Sequence, residues 1–270
     1  MQHIAAITSL QNPHVRLIEK LTRKKRDRYR AQQYIAEGYR LVRHALQRGC
    51  RPAFVLMTAE FAGSAAGEEL VAALAAVQSP MAIASPEVFQ ALADTVTPQG
   101  VLAVLPMPQA DPARLRQAQL VLVLDALRTP GNLGTILRTA QATGVDAVVC
   151  APGTVDPFSP KAVRGGMGAH IDLPLYVDVP WEGLPALLGP RRILAATAEG
   201  DTSLWQADLT GPLALVIGSE AHGVGTAARS LAQGGLRIPM AAGAESLNAA
   251  IAAAALLFEA QRQRSLATAG

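Results

Sequence analysis

The chain has 270 residues, half of them hydrophobic, which allows one large domain or two ordinary ones with buried cores. No apolar run reaches the ~18 residues of a membrane span, and the N-terminus lacks a basic region followed by an apolar core, so no signal peptide is expected. The only cysteines, Cys50 and Cys150, offer neither metal spacing nor a disulfide framework, which favours a reducing, cytoplasmic setting and no bound metal.

The net charge of +3 hides an asymmetry. Residues 1–51 hold twelve of the 24 Lys and Arg and three of the 21 acidic residues, so this segment stands at +9 and the remainder at −6. A basic front end of this kind suits a polyanion.

In chain order, Val15, Ile18 and Leu21 recur near helical spacing and predict a helix from about Pro13. Arg23, Lys24, Lys25, Arg26, Arg28 and Arg30 follow as the densest charge run. They read as a solvated helical face or as a phosphate-contact surface, and the flanking Tyr29 and Tyr34, able to stack on bases, tilt the choice toward the second, without distinguishing RNA from DNA or from a basic tail. Strands are expected at Gln33–Glu37, Phe54–Met57, Met81–Ala84 and Val101–Leu105, with helices at Gly38–Leu46, Glu68–Val77 and after Ser85-Pro86. This alternation is a small α/β unit. The proline-rich stretch from Pro106 to Pro112 marks a boundary, dividing the chain into residues 1–108 and 109–270. Beyond it, strands at Leu120–Leu124, Val145–Val149, Ile193–Thr197 and Leu213–Ile217 alternate with helices at Asn132–Ala142 and from Ser159-Pro160. A parallel sheet with helices on both faces is expected.

The chemistry concentrates between Leu213 and Leu257. An apolar strand ends at Gly218 and turns into Ser219-Glu220-Ala221-His222. A second apolar step ends at Ile238-Pro239-Met240. Ser246-Leu247-Asn248 then opens an Ala-rich helix, with Ser246 as its expected N-cap. Gly218, Gly223 and Gly243 would let a ligand approach the main chain. Ser219 and His222 do not form a Gly-x-Ser-x-Gly elbow. Gly223 to Ala228 fits G-x-G-x-x-A, but four residues separate it from the strand, so a dinucleotide fingerprint is rejected. From the residues alone, Asn132 is a helix cap, Arg138 a solvent-facing helix residue, and Glu220 a loop charge.

Three ordered stretches change that reading: N-L-G-T-I-L-R-T-A from Asn132, I-G-S-E-A-H-G-V from Ile217 with I-P-M from Ile238, and S-L-N-A-A-I-A from Ser246. Together they resemble the motifs of the SpoU/TrmH-like RNA 2′-O-ribose methyltransferases of the SPOUT superfamily. More weakly, A-E-G-Y-R-L-V from Ala36 resembles the ribosomal-protein-like RNA-binding domain that precedes the catalytic domain in many of these enzymes. The resemblance implies a trefoil-knotted C-terminal α/β domain, a homodimer, and S-adenosylmethionine as methyl donor. It places Arg138, Asn132, Glu220, Ser246 and Asn248 around the reacting centre, with Glu220 a partner for Arg138. It also assigns Thr197, Gly218, Ile238 and Leu247 to the donor. Arg is a poor base, so Arg138 reads as an electrostatic group gripping a phosphate and stabilising a developing alkoxide. The motif A-V-R-G-G-M-G-A departs from the family at Gly165 or Gly166, where a small polar residue is common. The implied function is methylation of ribosomal RNA ribose. The alternatives are a transfer-RNA ribose methyltransferase, a base methyltransferase, and a non-catalytic RNA-binding factor.

Overall fold

The computed structural model describes residues 4–95, 97–242 and 246–269, so Gly243 lies outside the described residues. The chain forms two compact units, one of Met1–Met107 with Asp156–Ile171, the other of Pro108–Val155 with Asp172–Gly270. Among the described residues, no helix is long and apolar enough to cross a membrane.

The first unit holds β1 (Ala5–Ile7), β2 (Gln33–Glu37), β3 (Phe54–Thr58), β4 (Met81–Ala84) and β5 (Val101–Pro106), in the order β1-β4-β3-β5-β2. β1, β4 and β3 run parallel, while β5 is antiparallel to both β3 and β2. The first helix, Pro13–Arg23, starts where Asn12 Oδ1 accepts from the His14 amide at 2.9 Å and Pro13 supplies the preset φ of a first turn. Its Val15, Ile18 and Leu21 bury against Leu56, Phe89, Leu102 and Val104. Each such side chain stabilises by about 1.5–3 kcal/mol. Lys24 then takes an extended conformation, and a second helix, Lys25–Ala31, begins.

Residues 156–171, which follow a strand of the other unit in sequence, close this one. Asp156 receives Arg28 Nε at 2.8 Å and Arg28 Nη2 at 2.5 Å, the Tyr29 hydroxyl at 3.0 Å and the Phe158 amide at 3.0 Å. Arg28 is only 4% exposed and gives a further bond to the Leu21 carbonyl at 2.6 Å. The Phe158 ring packs on Tyr34, Tyr29 and His170. This overturns two expectations. Arg28 is an internal structural cation rather than a phosphate contact, and Tyr34, 1% exposed, cannot stack on a base. His170 is buried beside this cluster, its Nε2 2.7 Å from the Pro157 carbonyl and its Nδ1 without a partner among the described residues. Burial pushes its pKa down to about 4, against the opposing pulls of Pro157 and Asp156.

The second unit holds β6 (Leu120–Leu124), β7 (Ala147–Cys150), β8 (Leu175–Val177), β9 (Arg192–Ala196), β10 (Thr202–Ser203), β11 (Leu213–Ile217) and β12 (Gly234–Arg237). They form one seven-stranded sheet in the order β10-β12-β9-β11-β6-β7-β8, with every pairing parallel. The central strands L-V-L-V-L and L-A-L-V-I are buried throughout, as strands covered on both faces must be. One face packs Leu115, Val123, Leu184, Ile193 and Ala228 into a core. Elsewhere in the unit, the helix Pro130–Ala142 packs against the helix Ala249–Ala269. From β6 the chain builds outward through β7 and β8, then returns to the other side for β9, β11 and β12. The reversal lies between β6 and β11, and in open α/β sheets ligands bind outside the carboxyl ends at such a point.

Candidate active site

A cleft of about 380 Å³ opens at the carboxyl ends of β9, β11 and β12, on the β11 side of that point. Its walls are the residues after β9 (Thr197, Glu199), the turn after β11 (Gly218 to Val224), Ile238 and Met240 after β12, and Ser246 and Leu247 ahead of the last helix. The volume falls in the ~300–1,000 Å³ range of small-molecule pockets. All four residues expected at the donor, Thr197, Gly218, Ile238 and Leu247, line it, together with Ser246 and Glu220.

The turn after β11 owes its shape to a tight backbone bridge. The Ser219 amide donates to the Gly223 carbonyl and the Gly223 amide to the Ser219 carbonyl, each at 2.9 Å. A Cβ on Gly218 would lie 2.1 Å from the Gly223 carbonyl carbon, so no side chain fits there. Ser219 Oγ accepts from the backbone amide of His222, an arrangement that serves the turn rather than nucleophilic chemistry. The helix Thr226–Leu231 begins at Gly225, whose amide donates to Asp125 at 2.6 Å. An internal carboxylate therefore already sits at the helix start that a dinucleotide phosphate would need.

Glu220 is the hub of a hydrogen-bonded chain that joins all three motifs. Its Oε1 accepts from Asn132 Nδ2 at 2.9 Å and from the Thr129 amide at 3.2 Å, and its Oε2 from the Arg128 amide at 3.1 Å. Asn132 Oδ1 in turn accepts from Asn248 Nδ2 at 3.2 Å. Burial alone would raise the Glu220 pKa. The Arg128 amide and the other donors outweigh it and hold the carboxyl at about 2, so the side chain is an anion at neutral pH. Before this cluster the chain leaves β6 through Ala126, a non-glycine residue at φ 52 and so in the left-handed region.

Two expectations about these residues change. The cap of the last helix is Asn248, whose Oδ1 accepts from the Ala250 amide at 2.8 Å, while Ser246 stays free to line the cleft. Asn248 therefore caps with its oxygen and reaches Asn132 with its nitrogen. Arg138 is not the partner of Glu220. It lies six residues beyond Asn132 on the same helix, a rise of ~9 Å, on an exposed stripe, and no carboxylate pairs with it among the described residues. It is also not among the residues lining the cleft. Sequence reading missed the roles of the Arg128 and Thr129 amides, since backbone donors leave no signature in residue type. It also missed Arg229, which lies outside every motif yet lines the cleft.

Of the basic run, Arg23, Lys24, Lys25, Arg26 and Arg30 are exposed. Arg23 pairs with Glu19 at 2.9 Å, and Lys25 lies 5.3 Å from the Tyr29 ring centroid.

Residues 119–258 match the model of the SpoU rRNA Methylase family, and residues 12–103 match that of an MRM3-like substrate binding domain. The chain belongs to the SpoU rRNA methylase family. Relatives of this SpoU protein include an uncharacterized tRNA/rRNA methyltransferase of Synechocystis, 36% identical over 97% of this chain and 95% of the relative. Another is the 23S rRNA (uridine(2479)-2′-O)-methyltransferase of Streptomyces viridochromogenes, 34% identical over 88% of this chain and 85% of the relative. Among solved structures, the AdoMet-bound rRNA methyltransferase of Sinorhizobium meliloti superposes with a TM-score of 0.84 at 30% identity, covering 96% of this chain and 98% of that one. The SpoU methyltransferase AviRb of S. viridochromogenes, in complex with AdoMet, gives the same TM-score of 0.84 at 30% identity, over 94% and 98%. The fold is thus that of SpoU enzymes with an N-terminal substrate-binding domain.

Proposed function

We propose that this chain transfers a methyl group from S-adenosylmethionine to a ribose 2′-hydroxyl of ribosomal RNA. The observation that carries the reading is the Asn248–Asn132–Glu220 chain, which ties three distant motifs to the rim of one cleft at the carboxyl ends of the parallel sheet. The cleft fits the donor in size and chemistry. Ile217, Leu236, Ile238, Met240 and Leu247 give it apolar walls, and the Ser219–Gly223 turn leaves backbone close to the surface. Bound there, the donor would supply a methyl group carried on its sulfonium sulfur, for transfer to the ribose oxygen with the hydroxyl proton passing to phosphate or water. Thr197, Gly218, Ile238 and Leu247 hold it. Glu220 fixes Asn132, Asn132 fixes Asn248, and Ser246 borders the hydroxyl. Arg138 grips a phosphate and stabilises the alkoxide.

Residues 1–108 form the RNA-delivering domain, and Arg23, Lys24, Lys25, Arg26 and Arg30 contact phosphates. Residues 109–270 form the catalytic domain. Two copies assemble through the last helix, a reading supported by exposed Ile251, Phe258 and Leu266 on it. In such a dimer Arg138, which does not line the cleft of its own copy, faces the cleft of the partner copy. A trefoil knot in the second unit is supported by a close backbone crossing, since a Cβ on Gly200 would lie 2.7 Å from the carbonyl carbon of Gly235. The reading includes a cytoplasmic setting, in keeping with two isolated cysteines that offer no disulfide framework. The test is to incubate the protein with donor and ribosomal RNA and look for a nuclease-resistant 2′-O-methyl dinucleotide. Methyl transfer to a base, or transfer only to transfer RNA, would replace this reading. Donor binding without transfer to any RNA would favour a non-catalytic RNA-binding role.

A further inference from the structure

Four ionisable side chains line the cleft: Glu199, Glu220, His222 and Arg229. Glu220 is committed to Asn132 and two backbone amides. Arg229 and Glu199 are placed differently. Arg229 is tethered on one edge, its Nε donating to the Val224 carbonyl at 2.9 Å, so the guanidinium is aimed while its outer nitrogens stay available. The nearest carboxylate oxygen, on Glu199, stands 4.0 Å from Nη2. Closed charge-assisted bonds are ~2.7–2.9 Å long. The pair is therefore open, a cation and an anion set side by side at the mouth of an otherwise largely apolar cleft. Both are about half exposed or more, which puts them at the rim rather than in the floor.

That pattern is the complement of an α-amino acid. A free amino-acid end carries a carboxylate and an ammonium on one carbon, and an anchored guanidinium offers the first a planar fork of donors while a carboxylate takes the second. We infer that Arg229 and Glu199 bind the amino-acid end of the methyl donor, Arg229 its α-carboxylate and Glu199 its α-ammonium, and so set the preference for S-adenosylmethionine over adenosyl sulfur compounds without that end. The inference rests on the donor assignment above. It adds a selectivity that neither the motifs nor the Glu220 hub supplies, because those residues hold backbone and polar groups in place without presenting an open charge pair.

Calorimetry on the full-length chain tests it with three ligands: S-adenosylmethionine, its decarboxylated form, and 5′-deoxy-5′-methylthioadenosine, which lacks the amino acid entirely. The wild type should bind S-adenosylmethionine about tenfold more tightly than the decarboxylated form. Arg229→Met should shrink that ratio to within about threefold and leave methylthioadenosine affinity unchanged, which also reports that the cleft is intact. Arg229→Lys should keep part of the ratio. Glu199→Gln should weaken S-adenosylmethionine and the decarboxylated form alike, since both carry the ammonium, and leave methylthioadenosine unaffected. A wild-type ratio near one, or a ratio that survives Arg229→Met, overturns the inference while leaving the donor site standing. Failure of the wild type to bind both S-adenosylmethionine and methylthioadenosine removes the donor assignment and the inference with it.

Discussion

Two polar networks, one in each unit, use similar groups for different ends. Around Asp156, a buried carboxylate takes a buried arginine, a half-buried phenol and a buried amide, so the charged pair itself is closed to water. Around Glu220, an exposed carboxylate takes two backbone amides and an asparagine, which passes the link to a second asparagine at a helix start. The first network is expensive to break, because a lone charge would stay buried. The second is cheap to break, because water reaches it, so its stability contribution is small and its geometry is what matters. A motif-rich cluster at a cleft and a motif-poor cluster in a core thus make opposite predictions for stability and activity.

The sharpest way to break the comparison is at Asp156. Asp156→Ala should cost about 3–5 kcal/mol, the range for leaving a buried partner uncompensated, read as a lower midpoint in urea. A loss below about 1 kcal/mol would put Asp156 in the same class as Glu220. Acid probes the neighbouring His170. Its folded pKa, about 4, lies below the unfolded value of 6.5, so the folded form resists the proton that the unfolded chain accepts. Stability is fully present above pH 6.5 and lost as pH falls toward 4, by roughly 3 kcal/mol for a shift of this size. His170→Gln should flatten that part of the stability–pH curve.

For the open network, Glu220→Gln should leave the melting temperature within a few degrees and lower methyl transfer by about a hundredfold, the scale of a misplaced reacting group. An equal fall in both would make Glu220 structural. Asn248→Ala removes a cap and a link at once. It should cost about 1 kcal/mol in stability and lower activity further than that loss explains, a difference that kinetics at saturating donor would expose. Smallest of all, Lys24→Ala and Lys25→Ala should leave stability unchanged and each reduce the salt dependence of RNA binding by about one unit of slope. Arg28→Ala should instead destabilise the fold, which separates the one internal cation of the run from its exposed neighbours.

How legible these features were in the sequence follows from how local their causes are. L-V-L-V-L and L-A-L-V-I read correctly as buried parallel strands because their pattern needs no partner to interpret it. β1, β8 and β10 escaped notice because two or three residues at or near a sheet edge carry no periodicity. The helix Pro112–Gln117 was hidden in what looked like a proline-rich break, although Asp111 capping Ala113 and Pro112 at the first position were its signal all along. At the site, the motifs identified Gly218, Glu220, Ile238, Ser246 and Leu247 of the cleft lining but not Arg229, and they did not decide between Ser246 and Asn248 as the helix cap, since both are good caps two residues apart. Arg28 could not be told from its neighbours, because the carboxylate that claims it lies 128 positions away.

That separation has a consequence for how the protein is made. The first unit needs Asp156–Ile171, so about 64 residues beyond Met107 must leave the ribosome before the segment that carries the Arg28 counter-ion and the aromatic neighbour of Tyr34 is complete. At ~5–20 residues per second this is a wait of roughly 3–13 s. Throughout it, a nascent five-stranded sheet, all of its strands already made, lacks its closing segment and leaves an unneutralised arginine and an uncovered phenol ring available to chaperones.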